Sequence, residues 1–201
     1  DTLFELGAEV IPLAVTPDGF NINEDCGAVH PQVMASAVVA HGADAGICLD
    51  GDADRLIMAD ENGTIIDGDQ ILGCLALAMQ EKGTLCTNAV VGTVMSNRGL
   101  ETMLGRADID LHRVAVGDRY ILEKMRNDGF NLGGEPSGHI LMTDFARTGD
   151  GLLTALQMLT LLKGSTKKAS SVFNSFRPNP QRLKNLTGID PIILRRKPLQ
   201  A

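Results

Sequence analysis

The sequence predicts an α/β fold with mostly parallel sheets flanked by helices. Two observations carry that expectation. Short apolar runs alternate with stripes at helical spacing almost throughout the 201 residues, and capping or breaking residues fall at the joints between them.

Taken in order, residues 9–13 read as a short strand. Residues 31–41 read as a helix, with Pro31 at its first position and Gly42 just past its end. Residues 45–49 form a continuous apolar strand that runs directly into an acidic loop. Residues 56–59 and 64–66 flank Glu61-Asn62-Gly63 and make a hairpin. Asp69 is placed to cap the next helix, in which Ile71, Leu72, Leu75 and Met79 form one stripe and Gly83 supplies the stop. Residues 89–94 are strand-like, and Ser96 with Leu100, Met103 and Leu104 marks a short helix. Residues 111–116 give another strand, and Asp118 can cap a helix to Asn127. Residues 131–134 and 139–142 bracket a glycine-rich loop. The helix over 149–162 is apolar on nearly every side, so it is buried or faces another domain. Breaks are expected near Asn62-Gly63 and near residues 176–180, where prolines and basic residues replace the apolar periodicity.

Composition narrows the function classes. Hydrophobic residues at 44% and charged residues at 21% describe an ordinary globular chain. Aromatic content of 3%, no Trp and a net charge of -7 argue against a nucleic-acid partner. The charge is uneven: nine Lys/Arg and one acid lie from Lys163 onward, a basic tail suited to an anionic partner or simply solvated. Cys26, Cys48, Cys74 and Cys86 show no metal-ligand spacing, and Cys48 and Cys74 read as small buried hydrophobes. The absence of a disulfide-dense pattern or signal peptide points to the cytoplasm, and no apolar stretch reaches transmembrane length. The opening at Asp1 reads as the middle of an element, so a fragment is expected.

The strongest chemical signal is Asp50-Gly51-Asp52-Ala53-Asp54-Arg55. Three carboxylates at alternate positions, on a turn at the end of an apolar strand, repel one another unless a cation neutralises them. Hard oxygen donors in that number favour Mg²⁺ or Ca²⁺ over zinc. Arg55 is ready to hold a phosphate beside the metal. Three rivals stand beside this reading. A calcium-binding EF-hand loop needs glycine where Arg55 stands, and helical flanks rather than strands. An aspartyl-phosphate phosphatase also places an Asp after an apolar strand, and usually has a small residue where Asp54 stands. A solvated acidic turn explains neither the alternation nor the abutting arginine.

A second loop, Gly133-Gly134-Glu135-Pro136-Ser137-Gly138-His139, packs an acid, a hydroxyl and an imidazole between glycines. Glu135 can accept from adjacent sugar hydroxyls, Ser137 can donate and accept, and His139 can move protons near neutral pH. The same loop could equally be a tight turn. His30, His41 and His112 read as structural or exposed.

Together with residues 21–27 (NINEDCG), 67–70 (DGDQ), 91–97 (VGTVMSN), 116–120 (VGDRY) and 148–151 (TGDG), these loops resemble the α-D-phosphohexomutase superfamily. The VGTVMSN and VGDRY segments point to the branch that acts on glucosamine phosphates. The resemblance implies a four-domain mutase built around a cleft, here represented by two similar α/β domains. Residues 1–63 would be the second, metal-binding domain without its first strand. Residues 64–173 would be the third, sugar-binding domain, and 174–201 the linker and start of the fourth. It implies Mg²⁺ on Asp50, Asp52 and Asp54, and Arg55 at the phosphate. Glu135, Ser137 and Gly117 would face the substrate, with His139 as a candidate for proton transfer. The implied reaction interconverts glucosamine 6-phosphate and glucosamine 1-phosphate through a phosphoserine and a bisphosphorylated sugar. Mannose or glucose phosphates are the alternative substrates, and a non-catalytic cation- or sugar-binding module is the alternative class. The expected partner is a phosphosugar, with no nucleic acid and no membrane, and there is room for a homodimer in the full-length protein. The Ser-His-Asn-Pro-like motif of the family nucleophile is missing, so the chain alone is expected to be inactive. Two departures stand out. Pro136 occupies a position where the glucosamine branch more often has an amide, and Ala53 replaces the usual glycine, a change expected to be tolerated at negative φ.

Overall fold

The computed structural model describes residues 1–184. After a short helix α1 (Thr2–Glu5) and an extended exposed segment, α2 (Pro31–His41) leads into a three-stranded sheet of β1 (Ala45–Leu49), β2 (Leu56–Asp60) and β3 (Ile65–Ile66). Both pairings are antiparallel, with Ala45 opposite Asp60, Leu49 opposite Leu56 and Met58 opposite Ile66. Every residue of β2 is buried, because the two faces of the sheet pack on different neighbours. Ile57 and Ala59 meet Met34, Ala35 and Val38 of α2, while Leu56 and Met58 enter the main core.

The second unit is built from α3 (Gly68–Glu81), β4 (Ala89–Thr93), α4 (Arg98–Arg106), β5 (Asp110–Val114), α5 (Asp118–Asp128), β6 (Leu132–Gly134), β7 (Ile140–Met142), α6 (Gly151–Lys163) and α7 (Ala169–Val172). Its sheet order is β5-β4-β6-β7, parallel from β5 to β6 with β7 antiparallel at the edge. The alternation along β4 sets the layers. Val90 joins the main core that also holds Leu100 and Leu104 of α4, whereas Ala89 and Val91 join the cluster of Ile121 and Met125 of α5. The α/β class with flanking helices therefore holds, and the parallel pairing is concentrated in this larger sheet.

One core runs under both sheets. Leu56, Met58 and Ile66 of the first share it with Ile71, Leu72, Leu132 and Ile140 of the second, and Ala155 and Met158 of α6 close it. That position accounts for the apolar circumference of α6, which touches β1, β2 and α3. Polar clasps reinforce the join. Glu61 accepts from the Ser170 amide at 2.8 Å and hydroxyl at 2.6 Å, and Asn174 donates to Asp60 at 3.2 Å. Burial pushes the Cys48 thiol up to about 12 and the Cys74 thiol up to about 11, as expected of small hydrophobes inside a core.

Four local expectations differ from what forms. Residues 9–13 make no strand; they are exposed and have no neighbouring strand among the described residues, so an apolar run has neither a ladder nor a face to bury. Asp67, not Asp69, caps α3, its carboxylate accepting from the Gln70 amide at 3.0 Å while Gln70 returns the bond in a capping box. Asp118 opens α5 without capping it, because Gly117 takes the capping position at φ 128°. Asp150 caps α6 through the Leu153 amide at 2.8 Å, so that helix starts at Gly151. The basic tail beyond Lys184 lies outside the described residues.

Candidate functional site: a carboxylate turn joined to a polar loop

The acidic turn leaves β1 and returns into β2. Asp50 shapes it from within: its carbonyl accepts from the Ala53 amide at 3.1 Å and its carboxylate from the Arg55 amide at 3.1 Å. Ala53 sits at φ 60°, in the left-handed region, and not at the negative φ that would make an alanine there costless. One oxygen each from Asp50, Asp52 and Asp54 lies within 4.8 Å of the others. The Asp54 carboxyl is held above its ordinary value, first by burial, then by the hydrogen bond and charge of Asp50 and the charge of Asp52, with His139 opposing. Asp54 Oδ1 is buried and has no hydrogen-bond partner among the described residues. An orphaned carboxylate oxygen in a set of three hard donors fits a divalent cation such as Mg²⁺ or Ca²⁺. The Arg55 Nε lies 3.7 Å from Asp50 and 3.8 Å from Asp54, with nearly half of the side chain exposed. Such loose pairing leaves its guanidinium free to meet an anion.

The glycine-rich loop between β6 and β7 closes through Gly138 N to Glu135 O and Glu135 N to His139 O, both 3.0 Å. It is joined to the acidic turn by main chain: Leu56 N donates to Gly138 O at 3.0 Å, and Arg55 and His139 form an antiparallel bridge. Gly138 is required there. Its φ is 93°, and a Cβ would stand 2.2 Å from the Leu56 carbonyl oxygen. Glu135, only 8% exposed, accepts from the Gly117 amide at 2.8 Å with one oxygen and from the Ser137 hydroxyl at 3.1 Å with the other. The bond to Gly117 brings the VGDRY segment to the polar loop.

Asp50, Asp52, Arg55 and Ser137 line one open cleft of about 540 Å³, with Asn23 and Pro136 completing its wall. Asp54, Gly117, Glu135 and His139 do not line it. The imidazole is 4% exposed and lies behind the turn, with Nδ1 3.1 Å from Asp54 Oδ2. Three further features come from segments that the sequence offered only for their resemblance, with no site role attached to their residues. Asn23 comes from the loop before α2, and Ile22 packs where a side chain on Gly51 would stand. Gly149 and Gly151 back the acidic turn, the latter donating to Ala53 O at 2.9 Å. Asp69 and Asn97 clamp a distant strap: Asn97 exchanges two 2.9 Å bonds with the Asn179 main chain, and its own amide donates to Asp69 at 2.5 Å.

The architecture is that of the phosphohexomutase structures. A phosphoglucomutase/phosphomannomutase family protein from Burkholderia thailandensis superposes with a TM-score of 0.77 at 28% identity, over 89% of this chain and 39% of that one. An Aspergillus fumigatus N-acetylphosphoglucosamine mutase, solved with GlcNAc-6P and magnesium, shares the fold at a TM-score of 0.62 and 18% identity, over 80% of this chain and 41% of that one. Residues 67–179 match the model for phosphoglucomutase/phosphomannomutase, alpha/beta/alpha domain III, and the chain belongs to that family. Among curated proteins, a phosphoglucosamine mutase of Roseobacter denitrificans is 57% identical over 92% of this chain and 41% of its own length. One from Caulobacter vibrioides is 51% identical over 99% of this chain and 43% of its own length. The chain thus spans about two fifths of the length of the curated relatives it matches. Among the described residues no helix is long and apolar enough to cross a membrane.

Proposed function

We propose that the chain forms the metal-and-sugar half of a cytoplasmic mutase that interconverts glucosamine 6-phosphate and glucosamine 1-phosphate. The observation that supports this reading is the main-chain junction of Arg55 with His139, which puts the carboxylate turn beside the glycine-rich loop, with Asp50, Asp52, Arg55 and Ser137 on one cleft. The 51–57% identity to proteins named phosphoglucosamine mutase supports the sugar assignment. On this reading residues 1–63 and 64–173 correspond to the second and third domains of the family, and 174–201 to the linker and the start of the fourth.

Asp50, Asp52 and Asp54 would hold Mg²⁺, which when bound neutralises charge on a phosphoryl group during transfer. Arg55, half-exposed at the cleft wall, would hold that group's oxygens. Glu135 and Ser137 would take the sugar. Because both carboxylate oxygens of Glu135 are already engaged, a sugar hydroxyl replaces the Ser137 hydroxyl on Oε2 while Gly117 keeps Oε1. The phosphoryl group would leave a serine oxygen for a free sugar hydroxyl, and the phosphate at the other end of the sugar would return to that serine. The test is interconversion by the full-length protein, followed by phosphorus NMR with glucosamine, mannose and glucose phosphates in competition. Preference for glucosamine phosphates with dependence on Mg²⁺ is expected. Preference for either other sugar overturns the substrate, and binding without turnover points to a non-catalytic module.

A further inference from the structure

On the mutase reading given above, we infer that Asn23 is a phosphoryl-binding residue of the cleft, donating its side-chain amide to oxygens of the group in transfer. A phosphoryl group beside three carboxylates needs hydrogen-bond donors around it as well as a cation. Among the described side chains that line the cleft, only Arg55 and Asn23 carry N–H groups. The one hydroxyl there, that of Ser137, already donates to Glu135 at 3.1 Å.

The two asparagines of the NINEDCG segment are used differently. Asn21 is committed to its own chain: Nδ2 donates to Thr16 O at 3.0 Å, and Oδ1 accepts from the Asp18 amide at 3.2 Å. Asn23, half-buried on the cleft wall, has no such bond among the described residues. Contact holds it in place instead. Oδ1 lies 3.4 Å from the point where a Cβ on Gly27 would stand, and Nδ2 lies 3.5 Å from the corresponding point on Gly51, inside the acidic turn. The donor nitrogen is thus the end nearer the carboxylates. The loop that presents it bends at three alternate residues of positive φ, Asn23 at 60°, Asp25 at 48° and Gly27 at 74°. Gly27 lets the main chain close on β1: the Ala28 amide donates to Leu49 O at 3.0 Å, and a Cβ on Gly27 would stand 2.7 Å from that oxygen. Leu49 precedes Asp50, so the loop and the acidic turn share one anchor. A left-handed conformation away from glycine is strained, and such strain clusters where the side chain it aims has a use.

The test is calorimetric binding of glucosamine 1,6-bisphosphate to the full-length protein at saturating Mg²⁺, with Mg²⁺ affinity and thermal unfolding measured alongside. Asn23→Ala is expected to weaken the bisphosphate about 10–100-fold, the loss of one hydrogen bond to a charged group, and to leave Mg²⁺ affinity unchanged. Asn23→Asp, which keeps the shape and replaces the donor with an anion, is expected to bind at least as weakly as alanine. Asn23→Gly removes the amide while suiting the left-handed backbone, so it carries the test if the alanine variant does not fold. Unchanged bisphosphate binding in the folded alanine or glycine variant overturns the assignment. So does an aspartate variant that binds like wild type, since the neighbour is then a sugar hydroxyl and not a phosphoryl oxygen. A loss of Mg²⁺ affinity that matches the loss of bisphosphate makes Asn23 a support of the acidic turn, and overturns it too. A wild-type protein that binds no glucosamine 1,6-bisphosphate overturns the mutase reading itself.

Discussion

Replacing Asp69 with asparagine should make the protein's stability depend less on pH, by an amount the structure sets. The carboxylate is 1% exposed at the first turn of α3, where Oδ2 accepts the Asn97 amide and Oδ1 is buried without a partner. Burial is the largest influence on it and lifts its pKa from 3.8 to about 6; the Asn97 bond and the Arg113 charge pull the other way. A native pKa above the unfolded one means that stability is greatest when the group is protonated, below about pH 4, and is lost as pH rises through 6. The shift of about 2 units corresponds to roughly 3 kcal/mol. Asparagine keeps an acceptor for Asn97 and does not ionise, so it escapes that loss. Urea unfolding of both proteins between pH 4 and 7.5 should show the variant gaining about 3 kcal/mol on the wild type across the interval, whatever the offset at pH 4. A stability difference that is flat with pH would show that Asp69 titrates normally and refute the argument.

Two further changes probe the loops. Ala53→Gly relieves a left-handed alanine worth roughly 1–2 kcal/mol, against about 0.4–1 kcal/mol lost to a more flexible unfolded chain. The net gain of about 0.5–1 kcal/mol should raise Tm by roughly 1–4 °C in thermal unfolding. Gly138→Ala forces a Cβ to within 2.2 Å of the Leu56 carbonyl at a φ of 93°. Backbone strain and the lost Leu56 amide bond together should remove at least about 3 kcal/mol, read by urea unfolding.

The parts of the fold legible in sequence were those governed by local rules. The helix from Pro31 to His41 forms where proline and glycine mark its ends, and the hairpin turns at Asn62-Gly63. The acidic turn was legible because its spacing alone forces three carboxylates together. What was not legible depends on contacts far along the chain. Two aspartates could have capped α3, and Asp69 was committed elsewhere by an amide 28 residues away. The 9–13 run has strand composition and no strand to join. His139 falls in a motif suited to proton transfer, and its 3.1 Å approach to Asp54 comes from the main-chain bridge to Arg55 and not from its spacing. The φ of Ala53 is likewise a property of the closed turn and not of the residue.

The shared core beneath the two sheets also constrains how such a chain can be divided. Cutting at Asn62-Gly63 would part Leu56 and Met58 from Ile66 and the rest of the core that buries them, and would leave α6 with one of its two supports. Neither half is a transferable module, and recombination or circular permutation at that turn would yield two pieces with open interiors. The cleft floor is inherited whole or not at all.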